Sequence, residues 1–447
     1  MFNFTNKNVL IVGDGISGQG ALQALKIIGV NAIIYDDKYD LPIPNMNNFD
    51  LVVVSPSIFP NHIIFEKSKQ ANVEIIGELE LAYRLKLNKD KMDIHNKIFV
   101  NNQYSIVGIT GTNGKTTTTR LLGDMCQQAE LKPIVAGNIG ISASEQIIKT
   151  ENALVAVIEV SSFQLLTTKI FAPNIAIITN ITADHLDIHN TFAEYINTKL
   201  SITKNQTEDN FLIVAIDEIS EEVKFLLDKK IKNKKLKSKI IYTSISTQTN
   251  GAYIVSNNLY YQNEFITSTY FFENKTIPFL SNLVCATTAA KLLKISNKAI
   301  IDAIKNFKMD SHRIQLVREL NNKKYFDDSK GTNIAATQKA IQSMQGDTAL
   351  LLGGSDKNEN FDILFNSLDE KVKYIFAYAT NADKILSVSK KYKVENVYKT
   401  MNLQQAIIQA SKTQVRNVLL SPACASFDQF KDYKDRGEQF QKFIFEL

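Results

Sequence analysis

The sequence predicts an α/β protein of three units built on largely parallel sheets, and three observations carry that prediction. Short apolar runs alternate with helical patterns along most of the chain, at residues 9–12, 32–35, 51–54, 105–109, 154–158, 175–179 and 211–215. Strands buried on both faces of a parallel sheet read as such continuous runs. The rhythm restarts beyond residue 320, at 325–327, 349–352, 373–377 and 417–420. Finally, loops rich in glycine or small polar residues follow several runs directly, as in open sheets that bind ligands at the carboxyl ends of their strands.

Length and composition agree with this reading. A chain of 447 residues makes three domains natural at about 150 residues each. A hydrophobic share of 44% and a charged share of 22% exclude disordered, collagenous and disulfide-stapled classes. Lys and Arg number 51 against 46 Asp and Glu, a net charge of +5, too small and dispersed for a nucleic-acid-binding stripe. Cys126, Cys285 and Cys424 lie far apart with no CxxC pair, which argues against a disulfide framework or zinc knuckle and fits a reducing cytoplasm. The apolar run 9–12 stops at Gly13 and reads as a strand rather than a signal peptide. Nothing approaches the roughly 18 apolar residues of a membrane span, so no membrane partner is expected.

A first boundary is expected in the polar stretch 86–103 and a second near 307–313, where the helical segment 297–306 gives out. The units are then 1–98, 99–308 and 309–447. Between 221 and 279 a Lys-rich helix gives way to β-like Tyr and Ile runs whose role the sequence does not disclose.

The first unit opens with a strand, then Gly13-Asp14-Gly15-Ile16-Ser17-Gly18, a helical run, and a second strand ending at Asp36. Glycines here let the backbone approach a pyrophosphate at a helix N-terminus, and the acidic residue can bind a ribose. Alone, the pattern suggests NAD and a dehydrogenase, or a tight turn with no ligand; the fold implies a nucleotide without naming it.

A stronger motif follows strand 105–109: Thr110-Gly111-Thr112-Asn113-Gly114-Lys115-Thr116-Thr117, then an amphipathic helix. Backbone N–H groups of such a loop cradle phosphates, Lys115 reaches the β and γ oxygens, and the Thr116 hydroxyl ligates magnesium. Ile109 stands where the strict pattern has its first glycine. Glu159 ends strand 154–158, where a second magnesium contact belongs; the alternative is a capping carboxylate. His185, in the loop after strand 175–179, is either a ligand at the sheet's carboxyl edge or a plain surface histidine.

The third unit offers His312-Arg313, Asp328-Ser329-Lys330-Gly331-Thr332-Asn333, Gly353-Gly354-Ser355-Asp356-Lys357 and Ser421-Pro422-Ala423-Cys424-Ala425-Ser426-Phe427-Asp428-Gln429-Phe430. The last three follow strands and can face one cleft. Polar turns and a helix cap at Thr332 or Asn333 are the plainer reading.

In this order the motifs resemble the Mur ligases of peptidoglycan synthesis, most closely the D-glutamate-adding branch, and the resemblance runs from Gly13 to Phe440. Its selective pieces are 110–117, EVSSFQL at 159–165, 184–187, DSKGTN at 328–333 and SPACASFDQF at 421–430. The resemblance implies a Rossmann-like first unit, a central P-loop ATPase-type unit and a Rossmann-like third unit. It implies ATP and two magnesium ions as cofactors, with UDP-N-acetylmuramoyl-L-alanine and D-glutamate as small-molecule substrates, in a cytoplasmic monomer.

The roles it implies are as follows. The UDP substrate falls to Gly15, Ile16, Ser17, Asp36, Lys38, Asn138 and Gln164. ATP falls to Gly111, Thr112, Asn113, Gly114, Lys115, Thr116, Thr117, Asn282, Arg313 and Asp328. Metal falls to Thr116, Glu159, His185 and a carbamylated Lys199, a residue otherwise read as a solvated helix lysine. D-glutamate falls to Thr332, Lys357, Ser426, Phe427 and Tyr433. Lys115, Glu159, His185, Lys199 and Lys330 are the implied catalytic groups. Departures are Cys285 for a second asparagine that contacts adenine, Ser57 for a glycine and Gly331 for an alanine. A folylpolyglutamate synthase-like ligase would lack the Gly13–Gly18 unit, and a nucleotide-sensing module would use the P-loop without chemistry.

Overall fold

The computed structural model describes residues 3–95, 104–272, 276–356 and 359–447. Two compact units emerge, Met1–Glu273 with Ser281–Phe307, and Asn274–Leu280 with Lys308–Leu447.

Within the first unit a four-stranded parallel sheet has the order Asn31–Tyr35, Asn8–Val12, Leu51–Val54, Glu74–Gly77. The chain leaves its first strand with neighbours on either side, which opens a crevice at the Gly13 loop. Gly18 sits where a Cβ would come within 1.8 Å of the Gly13 carbonyl oxygen, so only glycine lets helix Ile16–Ile27 approach the strand that closely. A second parallel sheet has the order Lys239–Thr243, Phe211–Ala215, Ile175–Ile178, Ser105–Thr110, Val155–Glu159, Ile134–Gly137. Its switch point lies beside strand Ser105–Thr110, which runs into helix Lys115–Gln128 through the glycine loop. A small antiparallel meander, Ala252–Val255, Asn258–Tyr261 and Glu264–Ser268, accounts for part of the stretch that the sequence left unread.

The stretch expected as a linker is largely helix: Glu78–His95 is one helix, and 96–103 lie outside the described residues. Polar composition does not end a helix, and 78–95 contain neither Gly nor Pro. Its first turns serve two cores, with Leu79 and Ala82 packed in the core of the second sheet and Leu81 and Leu85 in that of the first. Two buried carboxylates on the same helix reinforce this. Glu78 accepts hydrogen bonds from the Ser142 hydroxyl and from the Ser144 amide and hydroxyl, each at 2.7 Å. Glu80 accepts the amides of Lys169, Ile170 and Phe171 at 2.9–3.1 Å, with Arg84 Nε at 3.0 Å. Buried carboxylates are tolerable only with such donors.

The second unit is a six-stranded sheet in the order Gln315–Leu320, Lys323–Asp327, Asn417–Leu420, Thr348–Gly353, Val372–Tyr378, Val397–Lys399. The first pair is antiparallel and the others are parallel. The expected strands are present with small shifts in their ends. Leu154 is 53% exposed and precedes its strand, which closes on Glu159 itself.

Candidate active site

The phosphate-loop region is the most densely built part of the first unit. Gly114 caps helix Lys115–Gln128 in the left-handed conformation, φ 82°, and a Cβ there would lie 2.2 Å from Asn282 Oδ1. That demands glycine and places the buried Asn282 against the loop. Helix Lys115–Gln128 presents its N-terminal amides at the loop, a ready anion site. Lys115 curls back so that Nζ donates to the carbonyls of Gly111 and Thr112 at 2.9 and 2.8 Å. Thr117 is buried and Thr116 partly exposed beside it.

Asn180 clasps the loop from the neighbouring strand. Its carbonyl accepts the Thr112 amide at 3.0 Å, its Oδ1 accepts the Asn113 amide at 2.8 Å, and its Nδ2 donates to the Asn113 carbonyl at 2.8 Å. Thr112 Oγ1 donates to the Thr182 carbonyl at 3.0 Å and lies 3.2 Å from the Tyr195 hydroxyl.

Glu159 is 1% exposed. Its Oε1 accepts Asn138 Nδ2 at 2.9 Å, and its carbonyl accepts the Asn138 amide at 3.0 Å. Its other oxygen, Oε2, is buried with no hydrogen-bond partner among the described residues. The capping alternative for Glu159 is not what the structure shows: Ser161 caps helix Ser162–Leu165, in a reciprocal box with Gln164. Gln164 Oε1 is thereby committed to the Ser161 amide at 2.8 Å.

Lys199 is not a solvated lysine. On helix Phe192–Leu200 it is 1% exposed, its Nζ donates to the Gly111 carbonyl at 2.8 Å, and the ammonium lies 4.6 Å from the centre of the Tyr195 ring. Burial first, and then the nearby Lys115 charge, push its pKa well below the usual lysine value against the pull of Asp184 and Glu159. His185 is exposed in left-handed backbone, φ 54°, at the start of helix Leu186–His189. Its ring packs edge-on to Phe163 at 4.9 Å.

At the first sheet, Gly15 precedes helix Ile16–Ile27; Ile16 is 64% exposed and Ser17 half-buried. Asp36 does not point away from the loop. Its carboxylate accepts the amides of Asp14 at 2.6 Å and Lys38 at 3.0 Å, which hold it below the usual carboxylate range. Lys38 pairs with Asp14 at 3.1 Å, and Tyr39 also donates to Asp14.

In the second unit the three loops expected to share a cleft do meet. Ser421 Oγ donates to Asp328 Oδ2 at 2.7 Å, and Ser355 bridges to Ala425. Burial pushes the Asp328 carboxyl up to about 7 against that hydrogen bond and the pull of Arg313. Arg436 is fully buried and ties two of the loops: Nε donates to Ser329 Oγ at 2.9 Å, Nη2 to the Ser329 carbonyl at 2.8 Å and Nη1 to the Ala425 carbonyl at 3.2 Å. Arg313 and Lys330 both lie 3.8 Å from Asp310, and Lys330 Nζ lies 5.4 Å from the centre of the Tyr433 ring. Ser426 is 2% exposed and Phe427 68% exposed. Thr332 is half-buried, and Asn333, not Thr332, caps helix Ile334–Ser343. Lys357 lies outside the described residues. Cys285 is buried, with Sγ 3.5 Å from Thr243 Oγ1.

Sequence reasoning missed Asn180, Tyr195 and Arg436. A signal existed for Arg436, because positions 436, 440 and 444 share one buried stripe of helix Tyr433–Phe445. No cluster of three or more His, Cys, Asp or Glu side chains poised for a metal occurs among the described residues. Magnesium typically takes one or two carboxylates and completes its shell with water and phosphate oxygens, a pattern that the single orphaned Glu159 oxygen fits.

A parallel sheet feeding a Gly-Lys-Thr loop into a helix, with an acidic strand end alongside, defines a nucleotide-dependent enzyme of the P-loop class. Residues 109–290 match the Mur ligase middle domain. The chain is 36% identical to the UDP-N-acetylmuramoylalanine–D-glutamate ligase of Caldanaerobacter subterraneus subsp. tengcongensis, over 99% of this chain and 98% of that one. It is 33% identical to the enzyme of that name from Bacillus thuringiensis strain Al Hakam, over the same shares. A pseudomurein peptide ligase type C from Methanothermus fervidus shares the fold, with a TM-score of 0.61 at 17% identity over 99% of this chain and all of that one. The chain belongs to the Mur ligase family of ATP-dependent ligases. Among the described residues no helix is long and apolar enough to cross a membrane.

Proposed function

We propose that the chain joins D-glutamate to UDP-N-acetylmuramoyl-L-alanine at the expense of ATP, in the cytoplasm and as a monomer, with functional segments 1–98, 99–308 and 309–447. The observation that carries this reading is the extent of the likeness: 36% identity runs through 99% of the chain, so the acceptor loops of the second unit fall inside it along with the phosphate loop.

In this reading the Gly13–Gly18 loop, with Asp36 and Lys38, holds the UDP group, and Asn138 and Gln164 border the muramoyl end. The loop 111–117 wraps the ATP phosphates. Lys115 leaves its carbonyl partners and turns to the γ-phosphate, where a fixed cation favours the transferring group. Thr116, Glu159, His185 and Lys199 would hold magnesium, which when bound neutralises charge on the phosphates. Lys199 suits a carbamate because its neutral amine is favoured by burial. That amine adds to carbon dioxide, forming an N–C bond and releasing one proton, and the product is an anionic oxygen ligand of the kind magnesium prefers.

The substrate carboxylate oxygen attacks the γ-phosphorus, ADP leaves, and an acyl phosphate remains. The amine of D-glutamate, oriented by Thr332, Lys357, Ser426, Phe427 and Tyr433, attacks the acyl carbon. Phosphate then leaves and an amide stays. Asn282, Arg313, Asp328 and Lys330 complete the ATP contacts, and most of the rate comes from positioning and charge neutralisation. The test is to supply purified protein with ATP, magnesium and UDP-N-acetylmuramoyl-L-alanine. Sustained phosphate release should require D-glutamate, whereas another acceptor preference or no acceptor dependence overturns the assignment in favour of a related ligase or a non-catalytic module.

A further inference from the structure

Phe163 sits on the short helix Ser162–Leu165, four residues beyond Glu159. Its ring meets three others: Phe59 edge-on at 5.2 Å, His185 edge-on at 4.9 Å and His189 stacked at 5.7 Å with a 2° interplanar angle. Phe59 belongs to the first sheet, in the loop after strand Leu51–Val54. The same loop carries Ser55, whose hydroxyl donates to the Gly13 carbonyl at 3.2 Å. The other two rings belong to the second sheet's loop. His189 is buried, 3.0 Å from Ser162 Oγ, and packs edge-on to Tyr195 at 5.1 Å. His185 is exposed, with Nε2 3.8 Å from Asp184 Oδ2 and its ring centre 6.5 Å from that of Tyr195, so Phe163 is the nearer of the two rings against it.

We propose that Phe163 is a positioning residue that ties the 55–60 loop to the His185 turn, so that the nucleotide-sugar site and the phosphate site bind their ligands cooperatively. This rests on the function proposed above. His189 stacks on Phe163 and Phe59 meets it from the other sheet, while the exposed His185 packs against the same ring with centres 4.9 Å apart. A ligand that orders the 55–60 loop therefore settles Phe163. A second ligand that needs His185 fixed then has less ordering left to supply, which is positive coupling, and coupling is reciprocal.

The chain contains no tryptophan, so F163W reports from this position alone. Its emission should respond to UDP-N-acetylmuramoyl-L-alanine and, separately, to magnesium–ADP. Calorimetry on the unsubstituted chain should show each ligand lowering the other's Kd about fivefold or more, within the ordinary range of coupling between sites. In F163L and in F59L, which remove one ring each, that factor should fall to near one. A merely structural role would not abolish coupling while both ligands still bind. Coupling kept at full strength in both variants overturns the proposal, as does emission of F163W indifferent to both ligands. If the unsubstituted chain binds both ligands independently, this inference alone fails. If it does not bind the nucleotide sugar at all, the proposed function fails with it.

Discussion

Lys199 Nζ donates to the Gly111 carbonyl at 2.8 Å from a site only 1% exposed. A lone ammonium is costly to bury and is retained only where paired or used. Here the partner is one backbone carbonyl in the phosphate loop, with Asp184 and Glu159 close enough to favour its charge. Lys199→Met keeps the volume and removes the nitrogen. Phosphate release should drop at least 100-fold, with the melting temperature within a few degrees of the parent or above it. Carbon-13 bicarbonate should give a carbamate resonance in the parent that is missing from the variant. Parental turnover in K199M would remove Lys199 from the mechanism.

Glu159 has one oxygen bonded to Asn138 and another with no hydrogen-bond partner among the described residues. Glu159→Gln preserves an acceptor for Asn138 and discards the charge, so folding stability should hold or rise slightly. The magnesium concentration for half-maximal activity should increase about tenfold or more. A magnesium titration of E159Q that overlays the parent's contradicts the role assigned to Oε2.

Arg436 shows how the loops 328–333 and 421–430 are held together. Arg436→Lys keeps a cation but cannot reach Ser329 and Ala425 together. The expected loss is roughly 2–3 kcal/mol of stability, since hydrogen bonds to charged groups are each worth about 1.5–3 kcal/mol. The KM for D-glutamate should rise more than that for ATP. Equal shifts in both would make Arg436 a general stabiliser only.

Asp328 gives a pH dependence with a definite sign. Its folded-state pKa of about 7 stands above the ordinary 3.8, so between those values the folded chain keeps a proton that the unfolded chain has lost. The stabilisation is complete below about pH 4 and disappears as pH rises toward 7, on the order of 4 kcal/mol at full effect. Asp328→Asn imitates the protonated form, offering a donor to Ser421 and an acceptor to Ile314. Relative to the parent, D328N should gain melting temperature progressively between pH 4 and 7. A constant difference across that range would mean that Asp328 keeps an ordinary pKa.

Much of the fold was legible because buried parallel strands announce themselves as apolar runs, and the Gly-Lys-Thr loop because phosphate binding needs glycine and a cation at fixed spacing. The helix Glu78–His95 was not, since its polar later turns hide that Leu79 and Leu81 face different cores. The strands Ile134–Gly137 and Val397–Lys399 were not either, since the first closes on a glycine after three apolar residues and the second has three residues, two of them exposed. Lys199 looked like any other lysine in a Lys-rich chain; only its tertiary position, against Gly111 and Tyr195, sets it apart. Asn180 was similarly hidden, because its importance lies in one backbone carbonyl and one side-chain amide that reach across to Thr112 and Asn113.

In the proposed function a carboxylate is phosphorylated before an amine captures it. Oxygen-18 in the alanyl carboxylate of UDP-N-acetylmuramoyl-L-alanine tests this directly, with the released phosphate read by mass spectrometry after turnover with ATP and D-glutamate. Each phosphate released should carry one labelled oxygen. Phosphate free of label, alongside normal amide formation, would contradict it.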